Sequence, residues 1–446
     1  MIDGTEWFFL FFAIYFLPNA HTMTVERKEE SFMNPFLEHA RPADQIFMDW
    51  QKIYPKPYCK EETDAYTKVR IILMNGTEFE ANWFSHQFHR HCPDNDLRRQ
   101  IAILRRVEQQ QQKRIACLKP DNESILEHTI GYEQLAVDLT AILAQRDPDP
   151  YVVQVMNLAL LEDFDHLYRY ANLLDFERGI RAENLVGCYT EIMPGRPTIS
   201  EHRHPMDSVR YYVDFSTAAP ITKLDTAIIT AAEQQTMNYY MNQCGFYESD
   251  LGRQLYQEIA MIEEQHVTQY GALLDTTLSW LENLLLHEYT ECYLYYSCMM
   301  DETDCYVRKI WEQHFEQELS HLHTAARLLE KYEGKVWQQV IPCGEFPELL
   351  CFTPQKEYVR QVLAGTVNNT ALREDPQFPV CGLPMNADFF RYQATVNPDV
   401  SMVPSHNVIT RSICSCGKDY RYENAPNPVE GLRNRRCDNT EVGRRP

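Results

Sequence analysis

A repeated spacing of glutamates and acid–histidine pairs is the strongest constraint on the fold of this chain. Three times, an acidic residue stands three positions before a histidine, and a glutamate stands thirty positions before that acidic residue. The three sets are Glu133 with Asp163 and His166, Glu233 with Glu263 and His266, and Glu288 with Glu318 and His321. Side chains three positions apart on a helix leave one face and can bind the same metal ion. The spacing therefore predicts helices that carry metal ligands.

The midpoint of each set falls on a predicted break between helices. The midpoints are Pro148, the residue before Ser249 and the residue before Asp304, and these three residue types stop or cap helices. Residues equidistant from the turn of an antiparallel hairpin lie at the same height, so each hairpin places its glutamate opposite its own acid–histidine pair. Six helices are predicted, at about 123–146, 150–174, 223–243, 249–274, 279–299 and 304–332.

The sequence predicts a mainly α fold with a central helical bundle and irregular ends. We expect three repeated helical hairpins in residues 123–332, with a proline-containing crossover insertion at 175–222. An N-terminal arm at 23–122 is expected to hold one helix at 96–117 and a short strand at 67–74. The remaining segments are an apolar N-terminal extension at 1–22, a C-terminal wrapping segment at 333–411 and a mobile polar tail at 412–446.

This pattern resembles the ferritin-like diiron-carboxylate superfamily. Bundles of that superfamily hold two metal ions with a glutamate from each of two helices and a Glu-x-x-His pair from each of the other two. The resemblance covers residues 123–332. It implies a ferritin-like bundle of six long helices and a site for two Fe ions, two Mn ions or a mixed Fe/Mn pair. The implied metal ligands are Glu133, Asp163, His166, Glu233, Glu263, His266, Glu288, Glu318 and His321.

Three hairpins compete for the two places in such a bundle. A long crossover lets two hairpins run antiparallel, and only the connection between the first and second hairpins is long enough, since the link at 275–278 is short. We therefore favour a site built by the first and second hairpins. Two other pairings stay open. One is the second hairpin with the third, a pair that has the better ligands, and the other is the first hairpin with the third. The spare hairpin is expected to complete a second site or a homodimer contact.

Neighbouring residues can replace or support the predicted ligands. Asp163 is shorter than the usual glutamate, so the ligand at this place is either Asp163 or Glu162. Glu291 is an alternative ligand on the fifth predicted helix, and His314 is a candidate to hydrogen-bond a ligand from behind. A separate group is either a zinc site or a polar loop: His86, His89, His91 and Cys92.

The chain is strongly acidic, with 42 Lys and Arg against 64 Asp and Glu and a formal net charge of -22. Nucleic acids and anionic membranes require a positive surface, so we expect neither as a partner. Fourteen cysteines without a Cys-x-x-Cys pair favour buried thiols in a reducing compartment. The apolar run at 7–17 is too short to span a bilayer. A cytoplasmic protein is predicted, with export through residues 7–17 as the alternative.

The ligand types favour redox chemistry. Carboxylates and imidazole suit Fe and Mn better than the metals that prefer thiolates. The leading hypothesis is a dimetal oxidoreductase that activates or reduces O₂ or peroxide, with an external electron donor and, as an open point, a small organic substrate. The alternatives are an iron-oxidising, iron-binding ferritin-like protein and a non-catalytic helical scaffold with a degenerate metal site.

Overall fold

Helices dominate the computed structural model, which describes residues 33–195, 202–366, 370–371, 378–419, 421, 424–438 and 440. Its α-helices are α1 (Trp50–Ile53), α2 (Ala65–His91), α3 (Asn95–Ala116), α4 (Ile125–Arg146), α5 (Pro150–Arg178), α6 (Ala182–Leu185), α7 (Pro220–Phe246), α8 (Asp250–Gly271), α9 (Trp280–Asp301), α10 (Cys305–Glu333), α11 (Lys356–Thr366), α12 (Asp388–Val396) and α13 (Pro404–Cys416). Two-residue strands β1 (Thr370–Ala371) and β2 (Phe378–Pro379) pair antiparallel. The mainly α fold class is confirmed.

The ends of the central helices follow local capping chemistry. Ser124 and Ser279 each form a capping box with the glutamate three residues later, so the first backbone N–H groups of α4 and α9 are satisfied. Pro150 opens α5, where its missing N–H is not needed. Gly179 and Gly334 end α5 and α10 in the left-handed conformation that glycine adopts without strain. All six predicted helices are present with bounds shifted by a few residues.

The N-terminal arm differs from the prediction. The strand predicted at 67–74 is wrong, because these residues lie inside the 27-residue helix α2. The helix predicted at 96–117 is present as α3, so the arm holds two long helices where we predict one. Residues 69 and 71–74 of α2 are all buried, since this helix contacts α3, α4, α7 and α9. Burial on several faces produces the continuous apolar run that resembles a strand in the sequence.

The long helices form four hairpins: α2 with α3, α4 with α5, α7 with α8 and α9 with α10. In what we call the inner group, α4 and α5 pack on α7 and α8. In what we call the outer group, α2 contacts α9 and α3 contacts α10. Helix α2 also packs on α4 and α7, and one continuous cluster of buried apolar side chains runs through both groups.

Described parts of the crossover and of the C-terminal segments lie against the inner group. In the crossover at 175–222, Arg203 is fully buried. Helix α13, which runs from the predicted wrapping segment into the first five residues of the tail that we predict to be mobile, packs on α5 and α8. In the tail itself, Arg421 is buried and donates hydrogen bonds to Asn172 and the carbonyl of Ala171. No helix in the described ranges is both long and apolar enough to cross a membrane. The predicted apolar segment at 7–17 lies outside the described residues.

Candidate metal centres

The inner group brings six of the nine predicted ligands together at its core. Possible ligand atoms of one set lie within 4.8 Å of one another, and the same holds for a second set. Glu263 belongs to both sets, so the two adjoin, and we call them the inner centre. The first set is Asp163, Glu233, Glu263 and His266, and the second is Glu133, His166 and Glu263. All six side chains are buried, with no more than 1% of any residue exposed.

Glu263 lies between the two histidines of the inner centre. Its Oε1 atom is 2.9 Å from Nδ1 of His166, and its Oε2 atom is 3.0 Å from Nδ1 of His266. Nδ1 of His266 is also 3.2 Å from Oδ1 of Asp163. Glu263 therefore links two groups of potential ligands, each of which could hold a metal ion.

Asp163, and not Glu162, belongs to the group of potential ligands with Glu233, Glu263 and His266. The Oε2 atom of Glu162 lies 2.7 Å from Nε2 of His266, behind the ring, and it accepts a hydrogen bond of 3.0 Å from Nη2 of Arg203. Metal-binding histidines commonly donate their second N–H to a carboxylate in this way, which fixes the ring orientation. The structure therefore places Asp163 in the ligand set and Glu162 in a supporting position.

The inner centre is crowded with negative charge. Burial and the charges of Asp163 and Glu263 raise the pKa of Glu233 well above its usual range. Burial likewise raises the pKa of Glu133 well above its usual range, and the charge of Glu263 adds to this effect. Burial alone would raise the pKa of Glu263 too, but its contacts with His166 and His266 outweigh this effect and lower the pKa to about 2. Neither carboxylate oxygen of Glu233 accepts a hydrogen bond from a described residue. This buried arrangement suits cations, because four carboxylates balance two divalent ions.

The outer group contains a second buried cluster, which we call the outer centre. It again consists of two adjoining sets, which share Glu108 of α3. Nδ1 of His321 lies 2.7 Å from Oε1 of Glu108, 3.1 Å from Oε2 of Glu318 and 3.6 Å from Oε2 of Glu288. The two sets are Glu108 with Glu288, Glu318 and His321, and Glu78 with Glu108 and Glu291.

Sequence reasoning missed the ligands that α2 and α3 contribute to the outer centre. Glu78 stands thirty positions before Glu108, and their midpoint is Pro93, in the break between α2 and α3. The pair thus follows the spacing of the other three hairpins. Gln111 occupies the place of the histidine three residues after Glu108, so a search that requires a histidine passes over this hairpin. Equal spacing of the acids alone was the signal that could have found it.

Two supporting predictions have different outcomes. His314 is connected to the outer centre through Tyr295 and not by a direct bond to a predicted ligand: its Nδ1 is 3.0 Å from the hydroxyl of Tyr295, which in turn donates to Glu78. Burial and the charge of Arg114 lower the pKa of His314 well below its usual range, so the ring is neutral. Among the described residues, none of the groups of potential metal ligands contains His86, His89, His91 or Cys92, so the zinc alternative has no support.

The structure thus joins the first predicted hairpin to the second and the third to the N-terminal arm. All nine predicted ligands lie in buried carboxylate and histidine clusters that could hold metal ions. We found no protein-family model, curated protein or solved structure that matches this chain. The resemblance to the ferritin-like superfamily therefore stays a prediction, which rests on the residues and their spacing.

Proposed function

We propose that the inner centre binds two Fe or Mn ions, or one of each, and that the chain is a dimetal-carboxylate oxidoreductase acting on O₂ or peroxide. The observation that carries the proposal is the shared Glu263, which lies between two buried sets that each contain one histidine. Four helices in two hairpins supply these residues, as in the ferritin-like bundles that the sequence resembles. When bound, the metal pair would supply the electrons and coordination positions for reducing O₂ or peroxide.

The donor set supports this choice of metals. Four carboxylates and two imidazoles form a mixed oxygen and nitrogen environment without a thiolate, which suits Fe and Mn. Two divalent ions would neutralise the four carboxylates. The protein supports the ligands from behind on both sides, because Glu162 accepts from His266 and the hydroxyl of Tyr240 donates to Oε1 of Glu133 at 2.6 Å.

Burial supports a small reactant. Every ligand of the inner centre is at most 1% exposed, so a diatomic molecule or peroxide can approach with much less rearrangement than a bulky organic substrate. Reduction of one O₂ to two waters takes four electrons and four protons, and reduction of one hydrogen peroxide to two waters takes two of each. An external one-electron donor, acting repeatedly, would restore the reduced metal pair.

The decisive experiment compares the wild type with Glu263→Ala/His266→Ala and with the control Glu264→Gln. Glu264 is exposed on α8 and adjoins Glu263 in the chain. Metal content is measured by inductively coupled plasma analysis after anaerobic Fe(II) or Mn(II) loading, and consumption of O₂ and hydrogen peroxide is then followed. We expect the double variant to bind two ions fewer per chain and to lose the reaction, while the control keeps both.

Unchanged metal content in the double variant would exclude the inner centre as a metal site. Two bound ions without any reaction toward O₂ or peroxide would indicate a metal-binding scaffold and would overturn the proposal of an oxidoreductase. Size-exclusion chromatography addresses the storage alternative, because an iron-storage shell has a very high mass.

A further inference from the structure

The outer centre corresponds to the inner centre position by position, with three differences in residue type. The set of Glu108, Glu288, Glu318 and His321 matches the set of Asp163, Glu233, Glu263 and His266 in the spacing along each hairpin, and in residue type except that Glu108 takes the place of Asp163. Glu78 takes the place of Glu133. The other two differences are Gln111, which stands in place of His166, and Glu291, which the outer centre gains.

Gln111 removes an imidazole from one half of the outer centre. Its side chain is fully buried, and its Nε2 donates to Oε1 of Glu318. Its own Oε1 accepts no hydrogen bond from a described residue. An amide offers a metal ion only its carbonyl oxygen, so Gln111 supplies no nitrogen ligand to this half of the outer centre. The imidazole of His287 comes near, with its Nε2 4.0 Å from Oε1 of Glu291 and its Nδ1 3.2 Å from Oε2 of Glu80, but it lies outside the group of potential ligands.

Glu291 adds a carboxylate to the same half. It lies one helical turn after Glu288, and the equivalent residue of the inner group is Thr236, whose hydroxyl donates to the backbone carbonyl of Ala232. Glu291 is fully buried, groups with Glu78 and Glu108, and neither of its carboxylate oxygens accepts a hydrogen bond from a described residue. A buried carboxylate without a donor is costly unless a cation binds it.

We propose that the outer centre is a second dinuclear metal site, and that its Glu78, Glu108 and Glu291 half selects a hard, oxygen-preferring cation of the Mn(II) class. Carboxylate and carbonyl oxygens suit Mn(II), whereas imidazole suits Fe(II). The outer centre has five carboxylates and one histidine, against four and two in the inner centre. The two centres of one chain would therefore differ in metal preference. This proposal does not depend on the reaction proposed for the inner centre.

The test isolates each centre in the full-length chain. Glu263→Ala/His266→Ala leaves only the outer centre, and Glu318→Ala/His321→Ala leaves only the inner centre. Anaerobic equilibrium dialysis against Mn(II) and against Fe(II) gives the stoichiometry and the ratio of the two affinities for each protein. We expect two ions per chain in both, with an Mn(II)-to-Fe(II) affinity ratio about tenfold higher in the outer centre.

A residue exchange tests the cause of the preference. In the protein that retains only the outer centre, Gln111→His with Glu291→Thr recreates the residues of the inner centre except for Glu108, which stands for Asp163. This exchange should lower the Mn(II)-to-Fe(II) ratio about tenfold. Glu291→Gln alone, which keeps the shape of the side chain, should weaken Mn(II) binding and guards against misfolding of the double exchange. Glu316→Gln, at an exposed position on α10, is the control.

Each other result would overturn a part of the proposal. Fewer than two bound ions in the protein with only the outer centre would exclude a dinuclear site. Equal affinity ratios in the two centres, or an exchange that leaves the ratio unchanged, would exclude selection by Gln111 and Glu291.

Discussion

Nε2 of His266 lies 2.7 Å from Oε2 of Glu162, while Nδ1 of the same ring faces Asp163 and Glu263. The two ring nitrogens thus have separate tasks, since one is aimed at the ligand cluster and the other is held from behind. Arg203 donates to the same carboxylate and holds it in place. A residue of the crossover therefore acts on the inner centre through two successive hydrogen bonds.

Glu162→Gln is expected to weaken metal binding at the inner centre about tenfold, the lower end of the range for partners that orient a ligand. The amide keeps the size of the side chain but loses the charge that pairs with Arg203 and favours the His266 N–H. The measurement is Mn(II) affinity in the protein that retains only the inner centre. Glu264→Gln is the matched control, and equal affinities of the two variants would contradict an orienting role for Glu162.

Glu233→Gln is expected to change how the stability of the metal-free chain depends on pH. Burial and the charges of Asp163 and Glu263 raise the pKa of Glu233 in the folded state, so the folded chain holds this proton more tightly than the unfolded chain. The contribution of Glu233 to stability is therefore fully present below its unfolded pKa of about 4.3 and is lost as the pH rises through the folded pKa.

The measurement is urea unfolding of metal-free protein at pH 5 and at pH 8. Glutamine does not ionise, so the free energy of unfolding should fall less between these pH values in Glu233→Gln than in the wild type. Glu264→Gln should behave like the wild type. An identical fall in all three proteins would show that the pKa of Glu233 is not raised in the folded chain.

Arg70→Ala is expected to destabilise the chain by about 3–5 kcal/mol, the cost of leaving a buried charge without its partner. Nε of Arg70 lies 3.0 Å from Oε2 of Glu302, and Nη1 lies 2.7 Å from Oδ2 of Asp301. Arg70 and Glu302 are almost completely buried, and their contact joins α2 to the end of α9. Urea unfolding measures the loss.

The control for Arg70 is Arg99→Ala. Arg99 pairs with Asp96 on α3, and both side chains are 73% exposed. Exposed pairs contribute little, so this variant should unfold at the wild-type urea concentration. Similar losses in both variants would mean that burial of the Arg70 pair is not what makes it important.

Much of the inner centre could be predicted because its geometry follows from counting. A fixed spacing across a hairpin turn determines which residues face each other, so Glu133, Glu233 and the acid–histidine pairs meet once the hairpins form. The breaks were also predictable, since Ser124, Pro150 and Ser279 act through local hydrogen bonds and backbone geometry.

The share of α2 and α3 in the outer group was not predicted, for two physical reasons. Helix α2 is covered by neighbours on several sides, so its continuous apolar run lacks the 3.6-residue periodicity by which a one-sided helix is told from a strand. Gln111 then interrupts the acid–histidine pattern on α3, because an amide stands where the other hairpins have a histidine. Glu291 supplies an additional carboxylate from another helix, α9. Only the folded chain brings this substitution and its compensation together.

Gly76→Ala is expected to destabilise the chain by about 1 kcal/mol, because α2 and α7 approach closely where the outer group meets the inner group. A Cβ atom on Gly76 would lie 3.0 Å from Cβ and 3.3 Å from Cγ of Gln235. Overpacking of such a contact costs about 1–3 kcal/mol, which exceeds the 0.5–1 kcal/mol that alanine gains over glycine inside a helix. Gly245→Ala in α7 is the control, since its added Cβ would meet nothing within 4 Å and should leave stability unchanged or raise it. Urea unfolding of both variants measures the difference, and a Gly76→Ala protein as stable as Gly245→Ala would show that the two groups do not pack this closely.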